Sequence, residues 1–314
     1  MTAVVPFPPA PMLATAATLP TNPSGYVFEA KWDGVRALAR VDGRTELFSR
    51  HAHNMTPCFP EITEHLADAL AGRTAILDGE LVAIDRHACP SFSLIQRRMR
   101  STRPPAHLVA AVPAMFFVFD VLYLDGADVM RRPYLERRGL LDDLDLTAKL
   151  VLTSPYWTGI SSEAMFDIVK EMRLEGVVCK RASSVYQPGQ RSQAWIKSVV
   201  RHRAPLVVGG WMPGRGGGVG SLLVGGHDSG GALVYCGQVG FGFSGPLRRT
   251  LAAKFAELDC ATSPFSNLRR LDGARWLTPS VVVNVDYREF TGRLRHPSLK
   301  GIVNVEPGSV VLPS

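Results

Sequence analysis

The sequence predicts an α+β protein of two domains, residues 1–202 and 203–314. Three observations carry this expectation. A chain of 314 residues is long enough for two separate cores. Its first two thirds alternate β-rich apolar runs with segments of helical spacing, and beyond Arg203 the chain turns to short strands broken by glycine clusters. Hydrophobic residues make up 46% and charged residues 20%, the balance of a globular chain rather than a disordered one.

Taken in order, residues 1–25 are rich in Pro, Ala and Thr and are expected to drape over the first domain. From Tyr26 the pattern is strand-like, and residues 35–41 and 45–49 flank Asp42-Gly43, a hairpin turn signal. Residues 60–70 place Ile62, Leu66 and Leu70 on one helical face. Residues 74–85 and 115–124 are apolar β-rich runs. Residues 135–146 and 161–174 read as amphipathic helices, the second with Ser161 or Ser162 as its cap. Residues 175–180 form a further strand. Beyond Arg203, strands are expected at 207–212, 221–226, 231–239 and 281–290, with one helix at 247–258. About five strands and one helix in this length is the inventory of an OB-fold, a small barrel that often binds nucleic acid.

The net charge of +7 points to an anionic partner. It is unevenly spread. Residues 1–202 hold 23 Lys and Arg against 21 Asp and Glu, whereas residues 203–314 hold 12 against 7, so the second domain is the expected polyanion surface. Five scattered cysteines without a C-x-x-C pair argue against a disulfide framework and a zinc site, and for a reducing compartment. No basic residue precedes Lys31, and no apolar run is long enough to span a bilayer. The expected setting is cytoplasmic, with no membrane partner.

The segment Lys31-Trp32-Asp33-Gly34-Val35-Arg36 carries the chemistry. An amine can attack phosphorus, a glycine lets a triphosphate approach the backbone, and an arginine neutralises phosphate charge. An isolated lysine is ordinarily a solvated surface group. Here it is followed, at ordered intervals, by Ser49-Arg50, Asp78-Gly79-Glu80, Phe117-Val118-Phe119-Asp120, Glu175-Gly176-Val177-Val178 and Trp195-Ile196-Lys197. Free lysine, with a pKa of about 10.4, is protonated at neutral pH, so a nucleophilic Lys31 needs neighbouring cations such as Lys197 and a bound metal. Glu80 and Glu175, with Asp33, could hold Mg²⁺, which is bound by one or two carboxylates together with substrate phosphates.

This series resembles the nucleotidyltransferase core of ATP-dependent DNA ligases, most nearly the ligase module of bacterial non-homologous end-joining ligases. The likeness runs from Pro11-Met12-Leu13-Ala14 to Gly301 and includes the glycine-rich stretch 211–226. It implies an ATP-grasp-like adenylation domain followed by an OB-fold. ATP and Mg²⁺ or Mn²⁺ are the implied cofactors, and the product of the first step is Lys31–AMP. By the same resemblance Glu29 reads the adenine amino group, Phe119 stacks on the adenine, and Glu80 lies near the ribose. Glu175 is the metal-directed acid. Arg36, Arg50 and Arg191 contact phosphate and ribose, and Lys197 the α-phosphate; Lys180 is a further nucleotide candidate. Arg293, Arg295 and Lys300 match a motif that orients the leaving pyrophosphate.

Two departures stand out. The family's second lysine after Lys197 is Val199 here; in an extended strand 197, 199 and 201 share a face, so Arg201 is expected to substitute in part. The C-terminal motif runs into residues 302–314 without the family's R-x-D-K ending. The expected substrate is nicked or broken duplex DNA with 5′-phosphate and 3′-hydroxyl termini, sealed by a monomer working with other end-joining or repair proteins. The competing readings are an RNA ligase or capping-type nucleotidyltransferase, and a non-catalytic module that binds nicks or ends.

Overall fold

The structure is a computed structural model and describes residues 4–146, 149–214 and 216–313. The chain forms two compact units, Met1–Val200 and Arg201–Ser314.

The first unit contains two β-sheets. One runs in the order Leu13–Ala16, Arg191–Val199, Gly176–Arg181, Tyr26–Lys31, Tyr156–Trp157. The other runs Thr45–Ser49, Val35–Val41, Ala75–Ala83, Ala114–Leu124, Ala127–Asp128, with Val151–Thr153 parallel to Ala114–Leu124. Leu38, Ile76 and Leu122 of the second sheet meet Trp195 of the first, together with Met12 and Tyr186, in a shared core. The outer face of the first sheet packs Phe28, Ala30, Val177 and Cys179 against Met165 and Val169 of the helix Ser162–Glu171. The outer face of the second sheet is covered through Ile62, Leu66 and Leu70 of the helix Pro60–Leu70 and Ile95 of the helix Phe92–Met99.

The hairpin strands Val35–Val41 and Thr45–Ser49 and the helix Pro60–Leu70 lie where the spacing places them. Ser161 caps its helix by accepting from the Ala164 amide at 3.1 Å. Other expectations are corrected. Leu13–Ala16 does not merely drape over the unit; it is the edge strand of the first sheet, paired in parallel with Arg191–Val199. The helix expected at 135–146 spans Tyr134–Asp142. The helices Phe92–Met99 and Ala106–Ala111 have no counterpart in the sequence reading, because each is short and Ala106–Ala111 buries no residue.

In the second unit one sheet runs Leu233–Val239, Val219–His227, His202–Pro213, Arg275–Tyr287, and Asp259–Cys260 and Ser298–Val303 both pair with the last. An isolated bridge between Phe241 and Ser298 brings the two edges together and closes the barrel. Leu251 and Phe255 of the helix Gly245–Ala256 enter its core beside Trp211 and Leu222. This is the OB-fold. Its last long strand begins six residues before the expected Val281 and ends at Tyr287; Glu289–Phe290 instead pairs with Leu294–Arg295.

Candidate active site

Alternation along three neighbouring strands builds one wall of a cleft. Phe28, Ala30, Val177 and Cys179 point to the helix side, so Glu29, Lys31, Val178 and Lys180 must point to the other face. Trp195 and Lys197 join them from Arg191–Val199. The opposite wall comes from the second sheet, through Arg36, Glu80 and Phe119. Phe119 and Leu122 are the extra residues of two β-bulges, since Asp78 pairs with Asp120 and Gly79 with Val118. The bulged strand turns both toward the space between the sheets, and Phe119 lines the cleft rather than the core behind it. Leu13, Ala14, Arg50 and Arg191 complete the rim.

The cleft therefore gathers Glu29, Lys31, Arg36, Arg50, Glu80, Phe119, Lys180, Arg191 and Lys197, all nine residues expected to be nucleophile or nucleotide contacts. Asp33 is half-buried and does not line it. The glycine of the Lys31 motif has a task within the fold itself. A Cβ at Gly34 would lie 2.2 Å from the Leu81 carbonyl oxygen, so the residue is glycine to let two strands approach.

Lys31 sits opposite Gly176 at the end of its strand, next to Glu175. Its Nζ lies 2.5 Å from Glu175 Oε2. Burial pushes the Glu80 carboxyl up to about 7; Arg36 and Lys31 oppose that, and Glu175 and Asp78 add to it. Among the described residues no group of three or more His, Cys, Asp or Glu could hold a metal ion. The expected triad of Asp33, Glu80 and Glu175 is thus not assembled. Glu80 and Glu175 flank Lys31 and fit a cation that takes its remaining ligands from phosphate and water.

Several residues that shape the site were not singled out from the sequence. Asp78 clamps Arg36 through Nε and Nη2 at 2.5 and 2.6 Å, and Tyr186 donates to Asp78 Oδ2 at 2.6 Å. Arg36 in turn lies 4.5 Å over the Phe119 ring. Trp32 stacks on Phe117 at 3.8 Å and donates to Ser154 Oγ at 2.9 Å. Asp120 holds the fully buried Arg137 with two hydrogen bonds of 2.7 and 2.8 Å. Asp78 and Asp120 sit inside the quoted motifs, yet nothing in local spacing names partners that lie far along the chain.

Val199 ends its strand, pairs with Gly176 and does not line the cleft. Arg201 lies beyond that strand and borders a groove of the second unit with Phe241, Pro297 and Lys300, so strand alternation does not make it a stand-in for the missing lysine. Arg293 donates to the Tyr235 carbonyl at 2.6 Å and lies 4.6 Å over that ring. Arg295 pairs with Glu289, and Lys300 with Asp286, each at 3.4 Å. All five cysteines are free thiols. No helix among the described residues is long and apolar enough to cross a membrane.

A lysine among fixed cations in a cleft between two sheets, on a chain that also carries an OB-fold, defines a nucleotidyltransferase of the ligase class. The chain belongs to the ATP-dependent DNA ligase family: the family described as ATP dependent DNA ligase domain matches residues 11–198, and the ATP dependent DNA ligase C terminal region matches residues 215–304. It is similar to the Multifunctional non-homologous end joining protein LigD of Mycolicibacterium smegmatis, with 37% identity over 303 residues covering 93% of this chain and 38% of that one. The chain thus spans well under half the length of that curated relative. The solved ligase domain of M. tuberculosis LigD is 35% identical, covers 97% of this chain and 98% of its own, and superposes with a TM-score of 0.58. A mycobacterial DNA ligase D complexed with ATP and MES matches with the same identity and coverage and a TM-score of 0.56.

Proposed function

We propose that this chain seals 5′-phosphate/3′-hydroxyl nicks in duplex DNA at the expense of ATP, through a Lys31–AMP intermediate. The observation that carries the reading is the Lys31 amine held 2.5 Å from the Glu175 carboxylate in a cleft rimmed by Arg36, Arg50, Arg191 and Lys197. Lys31 Nζ attacks the α-phosphorus of ATP, an N–P bond forms and the P–O bond to pyrophosphate breaks. Glu175 is within reach of the proton that Nζ must lose. The surrounding arginines and Lys197 stabilise the charge on the phosphoryl oxygens. Glu175 and Glu80 would hold Mg²⁺ or Mn²⁺, which would further neutralise that charge.

In the second step a 5′-phosphate oxygen of the DNA attacks the AMP phosphorus, the N–P bond breaks and the Lys31 amine is restored. The 3′-hydroxyl then attacks the adenylylated 5′-phosphate and AMP leaves. Glu29 and Phe119 receive the adenine, and Arg293, Arg295 and Lys300 orient pyrophosphate in the first step. The likeness to end-joining ligases supports a role in joining broken DNA. We place the enzyme in the cytoplasm as a monomer that works with other repair proteins.

The test follows both halves of the reaction. Radiolabel from α-labelled ATP becomes covalently attached to the protein, surviving denaturation, in the presence of Mg²⁺ or Mn²⁺, and adding nicked DNA chases it into free AMP as the nick closes. A chain that takes label from GTP in preference to ATP, or whose label is not discharged by nicked DNA, contradicts the proposal.

A further inference from the structure

We infer that Tyr134 and Lys180 are positioning residues that hold the Glu29 carboxylate as a fixed acceptor and thereby make the cleft select a base carrying an exocyclic amine. The inference rests on the reading of the cleft as a nucleotide site. It concerns residues behind the base rather than those on the phosphates.

Glu29 is 2% exposed, yet it lines the cleft. A buried carboxylate must be satisfied by donors, and it has two of different kinds. Tyr134, fully buried, donates its hydroxyl to Oε1. Lys180, 1% exposed, places Nζ 2.7 Å from Oε2. The register brings the second contact within reach. Glu29 pairs with Val178, so Lys180 is its diagonal neighbour on the same face of the sheet. The ammonium is boxed by the rings of Trp195, Phe119 and Tyr134 at 4.4, 4.5 and 4.7 Å, which fixes its position without adding an acceptor.

Tyr134 is equally fixed. It opens the helix Tyr134–Asp142, whose Arg137 is locked to the buried Asp120 and to the carbonyls of Arg132 and Ser184. The phenol stays protonated, because burial and the facing Glu29 raise it well above its ordinary range. It can therefore only donate to Glu29. Each carboxylate oxygen keeps a further lone pair for a ligand. With both donors in place Glu29 offers acceptors alone toward the cleft, which match N–H groups and repel a carbonyl oxygen. The 6-amino group of adenine satisfies that requirement. The 6-oxo group of guanine does not, and a purine lacking a 6-substituent leaves the cleft-facing lone pairs of Glu29 without a donor.

Tyr134 does not itself line the cleft, so its substitution separates orientation from contact. The experiment uses the full chain and measures kcat/KM for nucleotidyl transfer to Lys31 with ATP and with purine riboside triphosphate, which lacks the 6-amino group. Tyr134→Phe keeps the ring and removes the donor; Lys180→Met keeps the length and removes the charge. The expected result is that each variant lowers the preference for ATP over purine riboside triphosphate by roughly tenfold; for Tyr134→Phe, which does not touch the cleft, the rate on the latter stays within about twofold of wild type, and Lys180→Met is read by the ratio alone. A melting curve accompanies each variant, and Lys180→Met reports through the other oxygen if Tyr134→Phe is poorly folded. Equal losses on both nucleotides, or an unchanged preference in both variants, overturn the inference while leaving the nucleotide site intact. Wild-type chain that accepts neither nucleotide overturns the site reading as well.

Discussion

Lys31 meets Glu175 because two antiparallel strands end side by side, and both lie close enough to Glu80 to act on its charge. Burial lifts the Glu80 carboxyl to about 7 from an ordinary 4.5. An unfolded chain ionises that group near 4.5 while the folded chain keeps its proton, so its contribution to stability is present below 4.5 and lost as pH rises through 7. Glu80→Gln is therefore expected to be neutral for stability at acid pH. At pH 8 it should stabilise by about 1–2 kcal/mol, discounted for the partly exposed side chain, or ~3–6 °C in Tm. Thermal melts at the two pH values check this, and equal shifts at both would place the raised ionisation elsewhere. At this scale the line of cationic and acidic positions was legible from the sequence, because each belongs to a short ordered segment. The residues that hold them were not: Tyr186 reaches Asp78 across 108 positions and Tyr134 reaches Glu29 across 105, and no local pattern encodes such distances.

Among the elements, the strand Ala114–Leu124 does most to shape the cleft, since its bulges turn Phe119 inward and its Asp120 anchors the helix Tyr134–Asp142. The Asp120–Arg137 pair is fully buried on both sides. Asp120→Asn would leave the Arg137 charge uncompensated, at an expected cost of about 3–5 kcal/mol by chemical denaturation. A cost below ~1 kcal/mol would mean that the pair is not what fixes this helix. Strands and helices with a clear period, such as Val35–Val41 and Pro60–Leu70, could be drawn from the sequence to the residue. The bulges could not, because an apolar run such as Met115–Leu124 reads the same with or without an inserted residue. Leu13–Ala16 was hidden for a related reason: four residues among prolines show no alternation, and their strand character comes from Arg191–Val199 beside them.

For the molecule as a whole, the proposed reaction draws on residues of both units. The first holds the cleft and the proposed nucleophile Lys31, while Arg293, Arg295 and Lys300 sit in the second, each engaged with a local carbonyl or carboxylate. If these three act on pyrophosphate, neutralising them cripples transfer from ATP to Lys31 by ~10²-fold or more and spares the sealing of pre-adenylylated nicks. Equal damage to both steps, in single-turnover assays of each, would assign them to DNA contact or to the barrel itself. Two units and an OB-fold were legible from composition and strand count, whereas barrel closure through Phe241 and Ser298 was not, since a single bridge leaves no periodic trace. The central claim is that Lys31 is the covalent nucleophile. Peptide mass mapping after incubation with ATP and Mg²⁺ tests it most directly: one AMP is expected, on the peptide containing Lys31, discharged by nicked DNA and absent from Lys31→Ala. AMP on a different residue, or a Lys31→Ala chain that still takes AMP from ATP, would contradict it.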